Sequence, residues 1–474
     1  MSFPIQHAYL IGIGGIHVSA VAKLLIHKGV QVTGYEDDAA SLIVDELRAQ
    51  GIEIRGKTDQ GSFPDGCDLV IYSSAVPESH PERVKAAAQS IRQLNSHAFV
   101  GEWFHDARQV VVTGTHGKST TTGMLGFIAS ECGLDPTVIM GTRLATFPDQ
   151  NLRMGKDALL IVEGDEYAYH VLEFSPAVLV LNNIEMDHVD LFPTIEAMRA
   201  LYARLIGRMQ IGGMLIVNAD DAQTKILLEE CQEIIKDKTL TVTSVGAAVE
   251  AYRMRTAGVV YEGHQRVLVT DRSGESFTLT LTVPGEINAQ NALMALTALE
   301  AMGGARSQGV EHLSAFQGVW RRFERLSEQE GILIISDYGH HPTAVRTTLE
   351  AAKSFYPERR LVLCFQPHHR NRTKELFLDF IPSFDLADHL ILVEIYDVMG
   401  REHSADEAIS SQDLVDAIKH HDADRGVMRV VEFAVTPHDA KEKLVQTMVA
   451  GDLVLVMGAG SIYKVANEIA KIPT

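Results

Sequence analysis

Cysteine is scarce, and no cysteine lies near another. Cys67, Cys132, Cys231 and Cys364 are the only four in 474 residues and form no C-x-x-C pair, which excludes the common zinc and disulfide frameworks. Positive charge is in deficit: 42 Lys and Arg against 62 Asp and Glu leave a net charge of −20. A phosphate backbone demands basic surface, so a general nucleic-acid binder is excluded. A single nucleotide in a local Lys/Arg pocket is not. No apolar run reaches the roughly 18 residues of a helical membrane span, and no charged-then-apolar signal segment stands at the start. A cytoplasmic protein with no stable membrane association is expected. What is present, 46% apolar and 22% charged residues, is the composition of a folded chain, and its length predicts two to four domains.

The most informative stretch is Gln109–Met124, QVVVTGTHGKSTTTGM. The β-branched run Val110–Val112 stops at Thr113-Gly114. Gly117, Lys118 and four hydroxyl residues follow, then an apolar helical pattern at Met124, Leu125, Phe127 and Ile128. That order predicts a buried strand, a tight loop and a helix N-terminus. Backbone N–H groups and the positive helix end favour an anion there, and Lys118 adds a mobile charge. A hydroxyl directly after the lysine is where phosphate-binding loops place a Mg²⁺ ligand. The spacing departs from G-x-x-x-x-G-K-[ST], because Val112 stands where that pattern has Gly. A plain Gly-Lys turn is the bland alternative, and it explains neither the strand nor the hydroxyl cluster. Gly114, Thr115, His116, Gly117, Lys118, Ser119 and Thr120 are the candidate ATP loop.

A second strand, glycine turn and helix opens the chain. Ala8–Ile13 is apolar, Gly12, Gly14 and Gly15 make the turn, and a helix is expected from about Val18 to His27. Glu36-Asp37-Asp38 follows about 20 residues later, where a dinucleotide-binding unit places a ribose-holding acid. His17 takes the position of the third glycine of G-x-G-x-x-G, which leaves the redox reading weak. Leu69–Ser74 is a further strand whose terminal Ser73 and Ser74 offer hydroxyls to a ligand. His17 and His80 are expected to be surface or turn residues.

In the centre, Ala158–Val162 runs into Glu163-Gly-Asp-Glu166, and Ala177–Leu181 into a polar burst from Asn182 to Asp190. Carboxylates at strand ends beside a phosphate loop are expected Mg²⁺ ligands; a solvated loop capping the helix at Thr194–Met209 is the alternative. From about Leu240 to Val283 short alternating segments predict antiparallel strands. Pro284-Gly285 opens a helical stretch in which Asn288 and Asn291 could reach a purine edge, helix capping being the bland role for Asn288. In the last third, strands at Ile332–Ser336, Leu361–Phe365, His389–Ile395 (before Asp397) and Leu453–Met457 alternate with helices, predicting another doubly wound α/β region. Polar residues gather after their C-terminal ends, where open α/β sheets bind ligands. Arg370 and Arg372 suit a carboxylate or phosphate, while His341 and His369 taken singly read as turn residues.

Six ordered motifs, GTHGKSTTT (Gly114–Thr122), EGDEY (Glu163–Tyr167), NIEMDHVD (Asn183–Asp190), WRRFE (Trp320–Glu324), DYGHHPT (Asp337–Thr343) and FQPHHRNRT (Phe365–Thr373), resemble the Mur ligase family of peptidoglycan synthesis over nearly the whole chain. The resemblance implies an α/β, three-domain architecture. A Rossmann-like nucleotide-sugar domain is expected over 1–107, a P-loop ATPase domain over 108–325 and a Rossmann-like amino-acid domain over 326–474. It replaces the redox reading, because in this branch the first glycine turn holds UDP. The implied chemistry is ATP- and Mg²⁺-dependent amide formation on UDP-N-acetylmuramate through an acyl phosphate. By resemblance Lys118 holds the β/γ-phosphates, and Ser119, Glu163 and His188 hold Mg²⁺. Asn291 contacts adenine, and Arg322 and Asp337 hold the nucleotide from the domain junction. Tyr338, His340, Arg370 and Arg372 line the amino-acid site, and Gly12, Gly14, Gly15, Ser73 and Ser74 hold UDP. Lys118, His188, His340 and Arg372 form the implied catalytic set, in a monomer or homodimer.

FQPHHRNRT and DYGHHPT resemble the branch that adds L-alanine, EGDEYAYHV and LNNIEMDHVDLF the branch that attaches a murein tripeptide. His369 stands where alanine-adding members carry a carboxylate-gripping arginine, a task Arg370 could take. Ile287 replaces a His, and His17 replaces a glycine of the UDP loop. The helix at Thr194–Met209 has no lysine, unlike branches with a carbamylated lysine there. A catalytically dead nucleotide-binding regulator on the same fold is the alternative of another class.

Overall fold

Runs of Val, Leu and Ile too apolar to face water become the central strands. The computed structural model describes residues 5–37, 41–57, 63–188, 191–246, 252–255, 260–261, 263–396 and 409–472. Asp38, Asp190 and Asp397 lie outside the described residues. The chain forms two compact units: Met1–Thr256 with Val267–Leu279 and Glu286–Ser314, and Ala257–Arg266 with Thr280–Gly285 and Ala315–Thr474. Among the described residues no helix is long and apolar enough to cross a membrane.

The first unit begins with five strands, β1 (His7–Ile11), β2 (Gln31–Tyr35), β3 (Glu53–Arg55), β4 (Leu69–Tyr72) and β5 (Arg92–Asn95), with helices α1 (Ile16–His27), α2 (Leu42–Ala49), α3 (Pro81–Ala88) and α4 (Ser96–Trp103) between and after them. All pairings are parallel, in the order β3-β2-β1-β4-β5. Helix α1 starts two residues earlier than the sequence pattern predicts, at Ile16.

The same unit carries a second sheet. Its relevant elements are β6 (Arg108–Thr113), α5 (Lys118–Glu131), β7 (Thr137–Ile139), β8 (Leu152–Arg153), β9 (Leu159–Glu163), β10 (Val178–Leu181), α6 (Ile195–Arg208) and β11 (Met214–Asn218). The order β11-β10-β6-β9-β7-β8 places β6 between β10 and β9. Val110–Val112 are fully buried, as a strand covered on both faces requires. Register then positions the site: Val112 lies opposite Glu163 and Thr113 opposite Leu181, so the loop after β6, the acids after β9 and the polar burst after β10 leave the sheet at one level. The two sheets share one apolar core, reaching from Ala8 and Leu24 to Val111, Leu160 and Leu179. A polar bolt crosses it, where Lys23 Nζ donates to Asn151 Oδ1 at 2.8 Å and Asn151 Nδ2 donates to the Ile16 carbonyl at 2.7 Å.

The stretch after Leu240 corrects the antiparallel expectation at its start and bears it out from His264 onward. Thr241–Gly246 pairs parallel to β11 and Tyr252–Arg255 parallel to Thr241–Gly246; antiparallel pairing starts only with His264–Asp271. The helices between 222 and 237 provide the crossover that a parallel neighbour needs.

Among its described residues the second unit carries a six-stranded sheet. Glu324–Gln329 is antiparallel to Ile332–Asp337, and the rest are parallel in the order Ile332–Asp337, Asp452–Met457, Arg360–Phe365, His389–Val393, Val430–Ala434. Apolar side chains fill both faces of the sheet.

Candidate active site

The loop after β6 is shaped by two glycines. Gly114 has φ +124°, and a Cβ there would lie 2.9 Å from the backbone of Asn183; Gly117 has φ +83°, and a Cβ would lie 2.5 Å from Asn291 Oδ1. Both positions combine a left-handed backbone with no room for a side chain. Helix α5 starts directly after Gly117 with no capping side chain, so its first-turn N–H groups are available to an anion. His116 N donates to Asn183 Oδ1 at 2.8 Å, and Thr115 Oγ1 accepts from Glu185 N at 2.8 Å. These bonds tie the loop to the segment after β10. Lys118 Nζ donates to the carbonyls of Gly114 at 2.7 Å and Thr115 at 3.0 Å and lies 3.0 Å from the buried Glu166 carboxylate.

Ser119 Oγ donates to Glu163 Oε1 at 2.7 Å, and Gly141 N donates to Glu163 Oε2 at 2.8 Å. Burial pushes the Glu163 carboxyl above its ordinary range, while Ser119, Lys118 and Gly141 pull the other way. His188 does not join this pair directly. It stands with Asp165 and Glu166, each offering a ligand atom within 4.8 Å of the others, and its Nε2 is 3.6 Å from Glu166 Oε1. The hydrogen bond to Glu166 raises the His188 pKa. Two neighbouring acidic groups thus flank the loop, one through Ser119 and one through Lys118 and His188. Hard oxygen donors of this kind fit a Mg²⁺-type cation. The role of Glu166 was legible only as part of EGDE.

Asn291, on the helix Glu286–Ala301, is buried behind Gly117; its Oδ1 lies 3.4 Å from Asn182 Nδ2, and its own Nδ2 donates to Asn288 Oδ1 at 3.2 Å. Asn288 therefore lies inside the helix as a partner of Asn291, not at its cap.

The first glycine turn has a different lining. Gly12, at φ +76°, presses on Ser73, whose Cβ would be 2.9 Å from an added methyl. Gly14 N donates to Glu36 Oε2 at 2.7 Å, so the acid after β2 secures the turn itself. Gly15 is the N-terminal boundary of α1, again with no capping side chain. Ser74 accepts from Asn95 Nδ2 at 2.7 Å and contacts His170. Of the two histidines expected at the surface or in turns, His80 is the turn residue expected, its N–H bonded to the Pro77 carbonyl, and His17 is corrected. His17 stacks on His97 at 3.7 Å, and His97 on His170 at 4.0 Å. His80 caps α3 by accepting from Glu82 N at 3.3 Å and packs edge-on to Tyr35. Their partners are tens of residues away or depend on backbone geometry, so no local pattern marks them.

In the second unit, Asp337 ends its strand buried, accepting from Phe323 N and Gly339 N, both at 2.7 Å. Burial raises its pKa against the pull of Arg322 and those two N–H groups. It organises the turn that presents Tyr338, and Arg322 lies over the Tyr338 ring at 5.0 Å. Arg321, which the sequence reading passed over, is the buried anchor of this corner: it donates to the Gly460 carbonyl at 3.0 Å and lies 4.7 Å from the rings of Tyr338 and Tyr463. His340 Nδ1 lies 3.3 Å from the Tyr338 carbonyl. Burial, then the nearby Arg372, lowers its pKa to about 4, so the ring is neutral at pH 7. His341 caps the helix Pro342–Phe355, and His369 precedes the helix Arg370–Glu375 with φ +67°. Arg370 pairs with Glu394 at 3.1 Å and donates to the Ile409 carbonyl. A substrate carboxylate at Arg370 would compete with Glu394, a partner 24 residues away that no local pattern announces.

Three family models match in order: the Mur ligase family catalytic domain over residues 7–108, the Mur ligase middle domain over 112–299 and the Mur ligase glutamate ligase domain over 321–460. The UDP-N-acetylmuramate–L-alanine ligase of Clostridium novyi (strain NT) is 34% identical over 98% of this chain and 96% of its own length, and that of Salinibacter ruber 33% identical over 99% and 95%. In fold, the chain is similar to the UDP-N-acetylmuramate–alanine ligase MurC of Thermotoga maritima, with a TM-score of 0.82 at 24% identity over 98% of each chain. A murein peptide ligase of Psychrobacter arcticus gives 0.66 at 21% identity, covering 98% of this chain and 100% of that one. With relatives above 30% identity along nearly its full length and three domain models matched in order, the chain belongs to the Mur ligase family.

Proposed function

We propose that this protein is an ATP-dependent ligase that joins L-alanine to the lactyl carboxylate of UDP-N-acetylmuramate. The observation that carries the reading is the intact loop with its acids: Lys118 on Glu166, Ser119 on Glu163 and His188 beside both Asp165 and Glu166. Full-length similarity to the alanine-adding ligases names the substrates. A carboxylate oxygen attacks the γ-phosphorus, ADP leaves, and the amine of L-alanine then displaces phosphate from the acyl carbon and loses a proton. Two anions must first meet, so charge neutralisation and positioning dominate the barrier. Lys118 and the α5 N–H groups hold the β/γ-phosphates, with Glu166 keeping the lysine aimed along the loop. Mg²⁺, when bound, supplies positive charge to the phosphate oxygens, and Ser119, Glu163 and His188, with Asp165 and Glu166, are the residues to hold it. Asn291 serves the adenine side, Arg322 and Asp337 the nucleotide, and Tyr338, His340 and Arg372 the amino acid, with Arg370 once released from Glu394. Neutral His340, its Nδ1–H turned to the Tyr338 carbonyl, offers a lone pair to the incoming ammonium group without repelling it. Gly12, Gly14, Gly15, Ser73 and Ser74 hold the nucleotide sugar. The regions 1–107, 108–325 and 326–474 divide these tasks in a cytoplasmic enzyme.

Phosphate release from ATP and Mg²⁺ with UDP-N-acetylmuramate is the test, with L-alanine, L-serine, glycine and L-Ala-γ-D-Glu-diaminopimelate compared as acceptors. Release with L-alanine and not with tripeptide is expected. Release with tripeptide alone makes the protein a recycling ligase, and none from folded protein makes it a nucleotide-binding regulator.

A further inference from the structure

Three imidazoles next to the first glycine turn, His97 and His170 buried and His17 partly so, have no part in the function proposed above. His17 follows the turn on α1, His97 opens α4, and His170 lies in the short 3₁₀ segment Tyr167–Glu173 that follows EGDE. Their rings stack at 3.7 and 4.0 Å with interplanar angles of 16° and 9°. Near-parallel planes cannot direct their lone pairs at one shared ion, so the column is not a chelate as it stands. Its edges carry the chemistry.

The hydrogen-bond directions can be worked out from a backbone amide. His97 N–H donates to Asn95 Oδ1 at 2.9 Å, which leaves Asn95 Nδ2, a donor only, 2.7 Å from Ser74 Oγ. Ser74 accepts there, so its own proton goes to its other neighbour, His170 Nε2. At the far edge of that ring, Nδ1 faces Asp165 Oδ2 at 3.5 Å. A lone pair would be repelled there and an N–H attracted. Both ends select the same tautomer, with hydrogen on Nδ1 and none on Nε2. His97, stacked on His170 and bonded through Nδ1 to Asn95 Oδ1 at 3.2 Å, fixes the plane of the ring; His17, bonded to Ser96 Oγ at 3.1 Å, backs His97. Burial keeps His97 and His17 neutral, so the two rings stacked behind His170 add no charge to it.

We propose that His170 is a positioning residue of the nucleotide-sugar site, one that takes the Ser74 proton and leaves the Ser74 oxygen as an acceptor only. The inference rests on the nucleotide-sugar reading of the glycine turn. Its chemical consequence is specific. Diphosphate oxygens are themselves acceptors, so Ser74 does not serve them. It receives an N–H or O–H of the ligand: a sugar hydroxyl, an acetamido N–H or a uracil N–H. Ser73, the glycine-turn amides and the start of α1 are left for the diphosphate.

Calorimetric Kd values for UDP-N-acetylmuramate, measured without ATP, test this on the full chain. S74A and H170A are each expected to bind about tenfold more weakly, as loss of one directed hydrogen bond does. The S74A/H170A double variant binds no more weakly than the weaker single one, because both remove one device. H170Q, whose Oε1 can take the Ser74 proton, recovers to within about threefold of wild type. ADP binding on the same samples reports whether the phosphate loop of the same unit is folded. Additive losses in the double variant, or H170Q as weak as H170A, overturn the proposal. So does a wild type that fails to bind the nucleotide sugar. A wild type that binds it yet releases no phosphate with any acceptor overturns only the ligase reading, since the Kd ratios do not depend on turnover.

Discussion

The first unit contains two strand–glycine turn–helix corners built alike and lined in opposite ways. Both helices begin without a capping side chain, after Gly15 and after Gly117, and both turns contain a glycine at positive φ. At Gly114–Ser119 the lining is ionic: Lys118, Glu163, Asp165, Glu166 and His188. At Gly12–Gly15 no lysine or arginine directly follows the turn; Glu36, two serines and a column of stacked imidazoles line it. Phosphoryl transfer needs mobile charge at the moment of reaction, whereas holding a nucleotide sugar needs directed neutral hydrogen bonds. The topology supplies the helix end, and the side chains decide the chemistry.

The sharpest way to break this division is Lys118→Ala. Removing the loop cation is expected to lower phosphate release by about a thousandfold, as loss of a principal electrostatic stabiliser does. Binding of UDP-N-acetylmuramate, read by calorimetry, should move less than about twofold, since additivity holds between groups with no shared partner. Collapse of both would mean that the two corners are not chemically separate.

Alanine at the two turns gives the next contrast. At Gly117 the new Cβ meets the buried Asn291 carboxamide at 2.5 Å on a backbone with φ +83°; at Gly14 it meets the end of the Glu36 side chain at 2.7 Å, with no positive φ. Glu36 can swing aside and Asn291 cannot. G117A should therefore cost about 2–3 kcal/mol of stability and most of the activity. G14A should cost under about 1 kcal/mol and weaken nucleotide-sugar binding a few-fold. Urea denaturation and steady-state rates on both variants check this; equal damage would contradict it. Glu163→Gln probes a smaller effect. It keeps an acceptor for Ser119 but loses a charged oxygen donor, so the Mg²⁺ concentration for half-maximal phosphate release should rise about tenfold.

The ionic corner was the legible one. Strand, glycines, lysine and hydroxyls are contiguous from Val110 to Thr122, and the acids stand immediately after two strands whose apolar runs announce themselves. Register then brought those separate stretches together, as parallel pairing on both sides of β6 dictates. The neutral corner was half legible. Its glycines and serines are visible, but His17, His97 and His170 meet across 80 and 73 residues of chain, a separation that no periodicity reports. Arg321 was missed for a related reason: beside Arg322 it reads as one of two equivalent cations, and only packing shows it buried under Tyr338 and Tyr463. After Leu240 the turn-rich alternation was right for His264–Asp271, which pairs antiparallel, and wrong only for the parallel pairings before it, which the crossover helices permit.

The dependence on pH separates the corners by sign. His17, beside the neutral turn, has its pKa lowered to about 4 by burial and by His170; His188, beside the ionic loop, has its pKa raised by the Glu166 hydrogen bond, against burial. The unfolded value for both is about 6.5. For His17 the unfolded chain takes the proton first, so its contribution is complete above about pH 6.5 and is lost as the pH falls toward 4. For His188 the folded chain keeps the proton longer, so its contribution is complete below about pH 6.5 and is lost as the pH rises through the folded value. In the absence of nucleotide and Mg²⁺, H17N should flatten only the acid side of a urea-midpoint profile, by on the order of 1–3 kcal/mol, and H188N only the side above about pH 6.5. If H17N flattened the upper limb instead, His17 would be held charged in the folded chain, and the contrast in sign between the two corners would fail.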